Sequence, residues 1–158
     1  MIIRQARPED GEAIVALWNP VIRDTAITFN SVEKTVETLI AEIATRHAFL
    51  LAEGDDALLG FATYGQFRNG VGYARTAEHT IALAPDTRGR GIGRILIGAL
   101  EDHARNAGFH SMIAGVSGEN PGGIAFHERM GYAQVAVLPQ VGWKFERWMD
   151  LILLQKLL

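Results

Sequence analysis

The chain has 158 residues, of which 48% are apolar and 21% charged, and a formal net charge of −3. This predicts one globular domain, residues 1–158. The charge gives no reason to expect nucleic-acid binding, and the absence of cysteine excludes disulfides and thiolate metal sites. No apolar run approaches the roughly 20 residues of a membrane span, and the start lacks a secretory pattern. We therefore expect a cytoplasmic protein that binds neither nucleic acid nor membranes.

The first part of the chain predicts a short strand, two helices and a pair of strands. Residues 2–6 form the first strand, and apolar residues recur at helical spacing over 8–22 and 32–46. The runs at 47–53 and 58–67 predict two strands joined by a turn at Gly-Asp-Asp.

The second part alternates strands and helices and ends in two strands. The predicted strands are 77–84, 109–116, 132–138 and 147–158. A helix over 91–107 lies between the first two strands, and a short helix over 119–130 lies between the second and the third. The last run is apolar enough to be a central strand. The order β α α β β β α β α β β predicts a mixed α/β (α+β) fold, with helices covering one largely antiparallel sheet.

The stretch RGRGIGR, residues 88–94, joins a predicted strand to a predicted helix. N–H groups at a helix start carry partial positive charge, glycine lets an anion approach them, and arginine binds phosphate oxygens. The spacing fits neither a P-loop nor the dinucleotide fingerprint. What remains is R-x-x-G-x-G, which predicts a phosphate site; the alternative is a flexible turn with solvated arginines.

Strand, R-x-x-G-x-G and helix together resemble the acyl-coenzyme A pyrophosphate loop of the GNAT superfamily of N-acetyltransferases. VSGENPGGIAFHERMGY is similar to that superfamily's next segment. The strings TAEHTIAL, FATYGQFR and PQVGWKFERWMDLILLQ resemble one branch, the phosphinothricin and methionine sulfoximine acetyltransferases. The similarity runs from residue 2 to the C-terminus.

This resemblance implies acetyl-CoA as cosubstrate. We expect no metal, because His47, His103 and His110 show no clustering that suggests a metal site. The strands at 78–84 and 109–116 would begin paired and then splay apart, so that coenzyme A enters the wedge between them. The implied cofactor contacts are Ile81, Ala82, Leu83, Arg88, Gly89, Arg90, Gly91, Ile92, Gly93, Arg94 and Asn120. Gly123 replaces a small hydroxyl residue that is common in the family, and the preceding Pro121 and Gly122 make the helix start look weak.

The resemblance also suggests catalytic residues. Glu78 matches the family's glutamate in an E-H-[ST] triplet and would act as the base, through an ordered water; otherwise it is a charged strand-end residue facing water. A backbone N–H within 81–83 would polarise the carbonyl. His127 occupies the position of the family's thiolate acid, although capping a helix or packing beneath the cofactor explains it equally well. His79 is interpreted as structural support.

Substrates of this branch are small amino acids with an oxygen-rich tail. A site for them is expected to place cationic side chains against the carboxylate and the tail oxygens. The candidates are Arg68, Arg75 and Lys144 as cations, with Tyr73 and Phe29 as aromatic walls; each could instead be an ordinary surface or packing residue. Ala74 replaces an arginine usual in this branch. Trp143, Phe145 and Trp148 could form a homodimer interface or complete the core.

Two other functions remain open at this stage. The first keeps acetyl transfer but changes the acceptor to a polyamine, an aminoglycoside or a protein N-terminus. The second is a non-catalytic module that binds coenzyme A.

Overall fold

Seven strands form one sheet in the computed structural model, which describes all 158 residues. The strands are β1 (Ile2–Gln5), β2 (Ala48–Gly54), β3 (Ala57–Gln66), β4 (Thr76–Leu83), β5 (Ser111–Ser117), β6 (Ala133–Lys144) and β7 (Arg147–Leu157). Their spatial order is β1-β2-β3-β4-β5-β7-β6. Every neighbouring pair is antiparallel except β4 and β5, which are parallel. The predicted fold class is confirmed, and the apolar C-terminal run is an interior strand between β5 and β6.

Four α-helices cover the sheet, in the predicted chain order. They are α1 (Gly11–Asp24), α2 (Val36–Thr45), α3 (Ile92–Asn106) and α4 (Pro121–Arg129). Helix α2 begins at Val36 rather than near residue 32, because the Thr35 side chain caps it by accepting the Thr38 N–H at 3.1 Å. None of the helices combines the length and apolar composition that crossing a membrane requires.

Two apolar clusters lie on opposite faces of the sheet. On one face of the sheet, α1 and α2 pack through Ile14, Trp18 and Leu39. We call this side of the sheet the α1–α2 face. On the other, α3 packs through residues such as Leu96 and Leu100, with α4 beside it. Successive residues of β2 alternate between the clusters, so this strand is buried on both sides and reads as a continuous apolar run.

Candidate active site

A wedge opens between β4 and β5. The two strands pair from Thr76 with Ser111 to His79 with Ala114, and no further pairs follow. Strand β4 continues to Leu83 with only β3 beside it. The predicted splay is therefore confirmed, and the free edge of β4 over residues 80–83 can accept a ligand that pairs with it as an added strand would.

The wedge holds a continuous cleft made of two adjoining cavities. The first, of about 410 Å³, lies between β4 and β5 and reaches Glu78. The second, of about 370 Å³, runs to Arg88 and Gly89. Residues lining both are Val21, Ile27, Ile81, Ala82, Asn120 and His127. One elongated ligand can thus extend from the glycine–arginine corner to the carboxylate.

The corner at the far end of the cleft has the backbone geometry of an anion site. Gly89 and Gly91 have φ angles of +76° and +79°, which residues other than glycine rarely adopt. The first hydrogen bond at the start of α3 runs from the Ile95 N–H to the Gly91 carbonyl at 3.3 Å, so the N–H groups of residues 92–94 have no partner within the helix. Arg88 is exposed and forms no ion pair. This arrangement fits the predicted phosphate site.

Asn120 caps the start of α4 and also lines the cleft. Its Oδ1 accepts the Gly123 N–H at 3.0 Å and caps the helix, and Pro121 suits the first helical position. The expectation of a weak helix start is therefore corrected. A Cβ on Gly123 would lie 2.4 Å from the Asn120 Nδ2, so glycine at 123 permits this asparagine conformation. The Nδ2 has no hydrogen-bond partner and is free to donate to a ligand.

Glu78 lies on β4 at the end of the cleft opposite the corner. Its carboxylate lies over Gly115, whose missing Cβ would be 3.0 Å from Oε1. Burial raises the pKa of Glu78, and the positive charge of Arg46 opposes that shift. Because a raised pKa makes the carboxylate a better proton acceptor, the environment suits the predicted base.

His127 forms a buried pair with His79, with the two Nε2 atoms 2.9 Å apart. The His127 Nδ1 is 2.7 Å from the Gly123 carbonyl, which can only accept, so this nitrogen carries a proton. In the neutral pair His79 then donates through Nε2, and its Nδ1 has no hydrogen bond of normal geometry, although the nearby Ile113 backbone opposes the fall in its pKa. Burial lowers the pKa of both rings, to about 3 for His79. Neither His127 nitrogen is free for a thiolate, so the geometry favours the packing role.

Lys144 is not a substrate cation in this structure, and that expectation is corrected. It is 3% exposed, and its Nζ donates to the carbonyls of Ile22 and Thr28 at 2.5 and 2.9 Å. It ties β6 to α1 and to the α1–α2 loop. Phe29 on that loop does line the cavity, as predicted, and its ring packs against Gly142.

The other predicted substrate residues lie outside the cleft. Arg68, Tyr73 and Arg75 are exposed on the β3–β4 connection, where the Arg68 guanidinium lies 5.3 Å from the Tyr73 ring centre. Sequence reasoning missed Arg46, whose guanidinium crosses β3 at Gly65 beside Glu78. Only the pairing of β3 with β4 reveals this proximity, because the residues are far apart in the chain.

Two curated relatives match nearly the whole chain. The L-amino acid N-acyltransferase MnaT of Escherichia coli is 35% identical, over 98% of this chain and 92% of the relative. The L-methionine sulfoximine/L-methionine sulfone acetyltransferase of Salmonella typhimurium is also 35% identical, over 98% and 93%.

Solved structures share the fold. A ribosomal-protein-alanine N-acetyltransferase from Brucella melitensis superposes with a TM-score of 0.96 at 34% identity, covering 100% of both chains. The yncA acetyltransferase of Salmonella typhimurium, solved with its cofactor acetyl-CoA, gives 0.94 at 34% identity, over 99% of this chain and 93% of the other. The acetyltransferase (GNAT) family model matches residues 17–132. With the splayed strands and the glycine–arginine corner in place, this chain belongs to the GNAT acetyltransferase family.

Proposed function

We propose that this protein transfers the acetyl group of acetyl-CoA to the α-amino group of a small amino acid such as methionine sulfoximine, methionine sulfone or phosphinothricin. The observation that carries the proposal is the continuous cleft, which joins an anion-binding corner at Gly89 to a buried carboxylate at Glu78. The names of the two curated relatives support the acceptor class.

The cofactor lies along the cleft in this proposal. Its pyrophosphate binds the guanidinium of Arg88 and the N–H groups of residues 89 and 91–94, since the Arg90 N–H donates to the Thr87 carbonyl at 3.3 Å. The pantetheine arm pairs with the free edge of β4 over residues 81–83 and accepts a hydrogen bond from the Asn120 Nδ2. These contacts place the thioester near Glu78.

Acetyl transfer then needs a neutral amine and a polarised carbonyl. Glu78, through an ordered water, takes a proton from the acceptor ammonium. The amine nitrogen attacks the thioester carbonyl, whose oxygen is stabilised by a β4 N–H. The N–C bond forms, the C–S bond breaks, and the nitrogen releases its second proton to solvent, while coenzyme A leaves as a thiolate that is protonated from solvent.

The charge of the cleft helps to choose among acceptors. Glu78 is the only carboxylate and Arg88 the only cation among the residues lining the two cavities. A polyamine or aminoglycoside calls for several acidic groups, so both are disfavoured. A protein N-terminus remains the second candidate, because the Brucella melitensis structure is named a ribosomal-protein-alanine N-acetyltransferase.

A panel of amines tests the proposal. Release of free thiol from acetyl-CoA is measured with methionine sulfone, phosphinothricin, spermidine, an aminoglycoside and an alanine-initiated peptide. Turnover confined to the amino acids supports the proposal. Turnover only with the peptide or the polycations refutes the acceptor class, and tight binding of acetyl-CoA without any turnover refutes enzymatic function.

We also infer that the protein is a cytoplasmic homodimer. Edge strand β6 and its neighbour β7 expose large apolar side chains, among them Trp143 at 52%, Phe145 at 47% and Trp148 at 57%. Contiguous apolar exposure of this kind is typical of interfaces. Sedimentation of the purified protein at twice the monomer mass supports the dimer, and a monomer at micromolar concentration refutes it.

A further inference from the structure

The acceptor proposed above carries an α-carboxylate, yet the 410 Å³ cavity that contains Glu78 has no arginine or lysine in its lining. Two other cationic side chains near the α1–α2 face already form ion pairs or hydrogen bonds. Lys34 forms an ion pair with Glu42, and Lys144 is occupied by backbone carbonyls. The guanidinium of Arg46 has neither an ion pair nor a hydrogen bond, although its side chain is partly buried. It is the cation still available beside the carboxylate.

Arg46 comes close to Glu78 because Gly65 has no side chain, although neither Arg46 nor Gly65 is among the residues that line the two cavities. Its Nη1 and Cζ lie 2.8 and 3.8 Å from the position that a Cβ on Gly65 would occupy. Gly65 pairs directly with Glu78 across β3 and β4. Residues opposite each other on antiparallel strands project from the same face, with Cβ atoms about 5 Å apart. The guanidinium therefore lies on the same face as Glu78, next to its stem.

The Glu78 carboxylate leans the other way. It lies over Gly115 on β5, and no ion pair joins it to Arg46. The cation over β3 and the anion over β5 are thus separated by the width of about two strand spacings, roughly 9.5 Å. A carboxylate and an amine on one carbon are about 3 Å apart. The hydrogen bond to Arg46 and the two that join the amine to Glu78 through the ordered water add about 2.8 Å each, so the chain of contacts is up to about 11 Å long. An α-amino acid zwitterion therefore spans this gap.

We propose that Arg46 binds the α-carboxylate of the acceptor and thereby orients its amine toward Glu78. This inference rests on the proposed function. A guanidinium offers a planar pair of donors to a carboxylate, which fixes the orientation of the amino acid as well as holding it.

The test compares two acceptors on matched variants. Steady-state kcat/KM is measured with methionine sulfone and with its α-carboxamide, which lacks the anionic charge. The proteins are wild type, Arg46→Met and, as control, Arg75→Met, which removes an exposed arginine outside the cleft. We expect the wild type to prefer the acid by about 10- to 100-fold, since a hydrogen bond to a charged group contributes on that scale.

In Arg46→Met the preference for the acid over the amide falls to less than about threefold, because the acid loses activity and the amide does not. The KM for acetyl-CoA stays unchanged, and Arg75→Met keeps the wild-type ratio. Arg46→Gln is measured as well, so that the ratio is available even if the methionine variant folds poorly.

An unchanged acid-to-amide ratio in both Arg46 variants overturns the inference and leaves the proposed function standing. The inference is also overturned if the acid-to-amide ratio falls in Arg75→Met but not in the Arg46 variants. That result would place the carboxylate site on the β3–β4 connection. If the wild type acetylates no α-amino acid at all, the proposed function fails and the inference fails with it.

Discussion

Replacing Lys144 with methionine separates a structural role from a role in substrate binding. In the structure its ammonium group donates to the Ile22 and Thr28 carbonyls at 2.5 and 2.9 Å. Methionine fills a similar volume but donates no hydrogen bond, so it leaves both carbonyls without this donor. A substrate cation would show the opposite behaviour, because its loss would weaken acceptor binding and leave folding intact.

The size of the effect follows from these two contacts. Each hydrogen bond from a charged donor contributes about 1.5–3 kcal/mol. Burying the ammonium costs part of that gain, and the same burial lowers the pKa of Lys144. We therefore expect Lys144→Met to reduce the free energy of unfolding by about 2–4 kcal/mol. For a chain of this length each kcal/mol shifts Tm by roughly 2–4 °C, so Tm falls by about 5–15 °C.

Thermal unfolding and steady-state kinetics are measured together. Arg75→Met serves as control, because Arg75 is exposed and its side chain forms no hydrogen bond, and its Tm should stay within about 1 °C of wild type. A Tm that is unchanged in Lys144→Met, with a raised KM for the amino acid, would refute the reasoning and restore Lys144 to the substrate site.

Two further variants probe the titratable groups of the cleft. Glu78→Gln should lower kcat by about 10- to 100-fold near pH 7, where the acceptor amine is mostly protonated, and by less near pH 9; a pH–rate profile parallel to wild type contradicts the base assignment. His79 has a pKa near 6.5 when unfolded and about 3 when folded, so between those values only the unfolded chain binds its proton and stability falls as the pH drops. Wild type should lose about 2 kcal/mol more than His79→Gln between pH 7 and pH 5; parallel losses in denaturant titrations contradict this.

The parts of the fold that follow from neighbouring residues were predictable. Periodicity and turn residues predict the order of strands and helices, and the apolar C-terminal run predicts an interior strand, as observed. The glycine–arginine corner was recognisable for the same reason, since a short local motif specifies the positive φ angles of Gly89 and Gly91.

The residues that were misjudged depend on contacts between distant segments. Nothing near Lys144 in the chain indicates that its ammonium meets carbonyls more than 100 positions away, which is why it resembled an exposed cation. Arg46 shows the reverse case, because its place beside Glu78 follows from the register of β3 against β4 and from the space at Gly65. His127 needed the position of His79 across the core before its hydrogen bonds could be assigned.

The central claim is that bare amides and guanidinium groups at the start of α3 hold the diphosphate of acetyl-CoA. Calorimetric titration of acetyl-CoA into wild type and into Arg88→Ala/Arg90→Ala measures this most directly, with Arg68→Ala as an exposed control. We expect micromolar binding to wild type, an unchanged Kd in the control and a Kd raised about 10- to 100-fold in the double variant. No heat of binding to wild type, or equal affinity in the double variant, would contradict it.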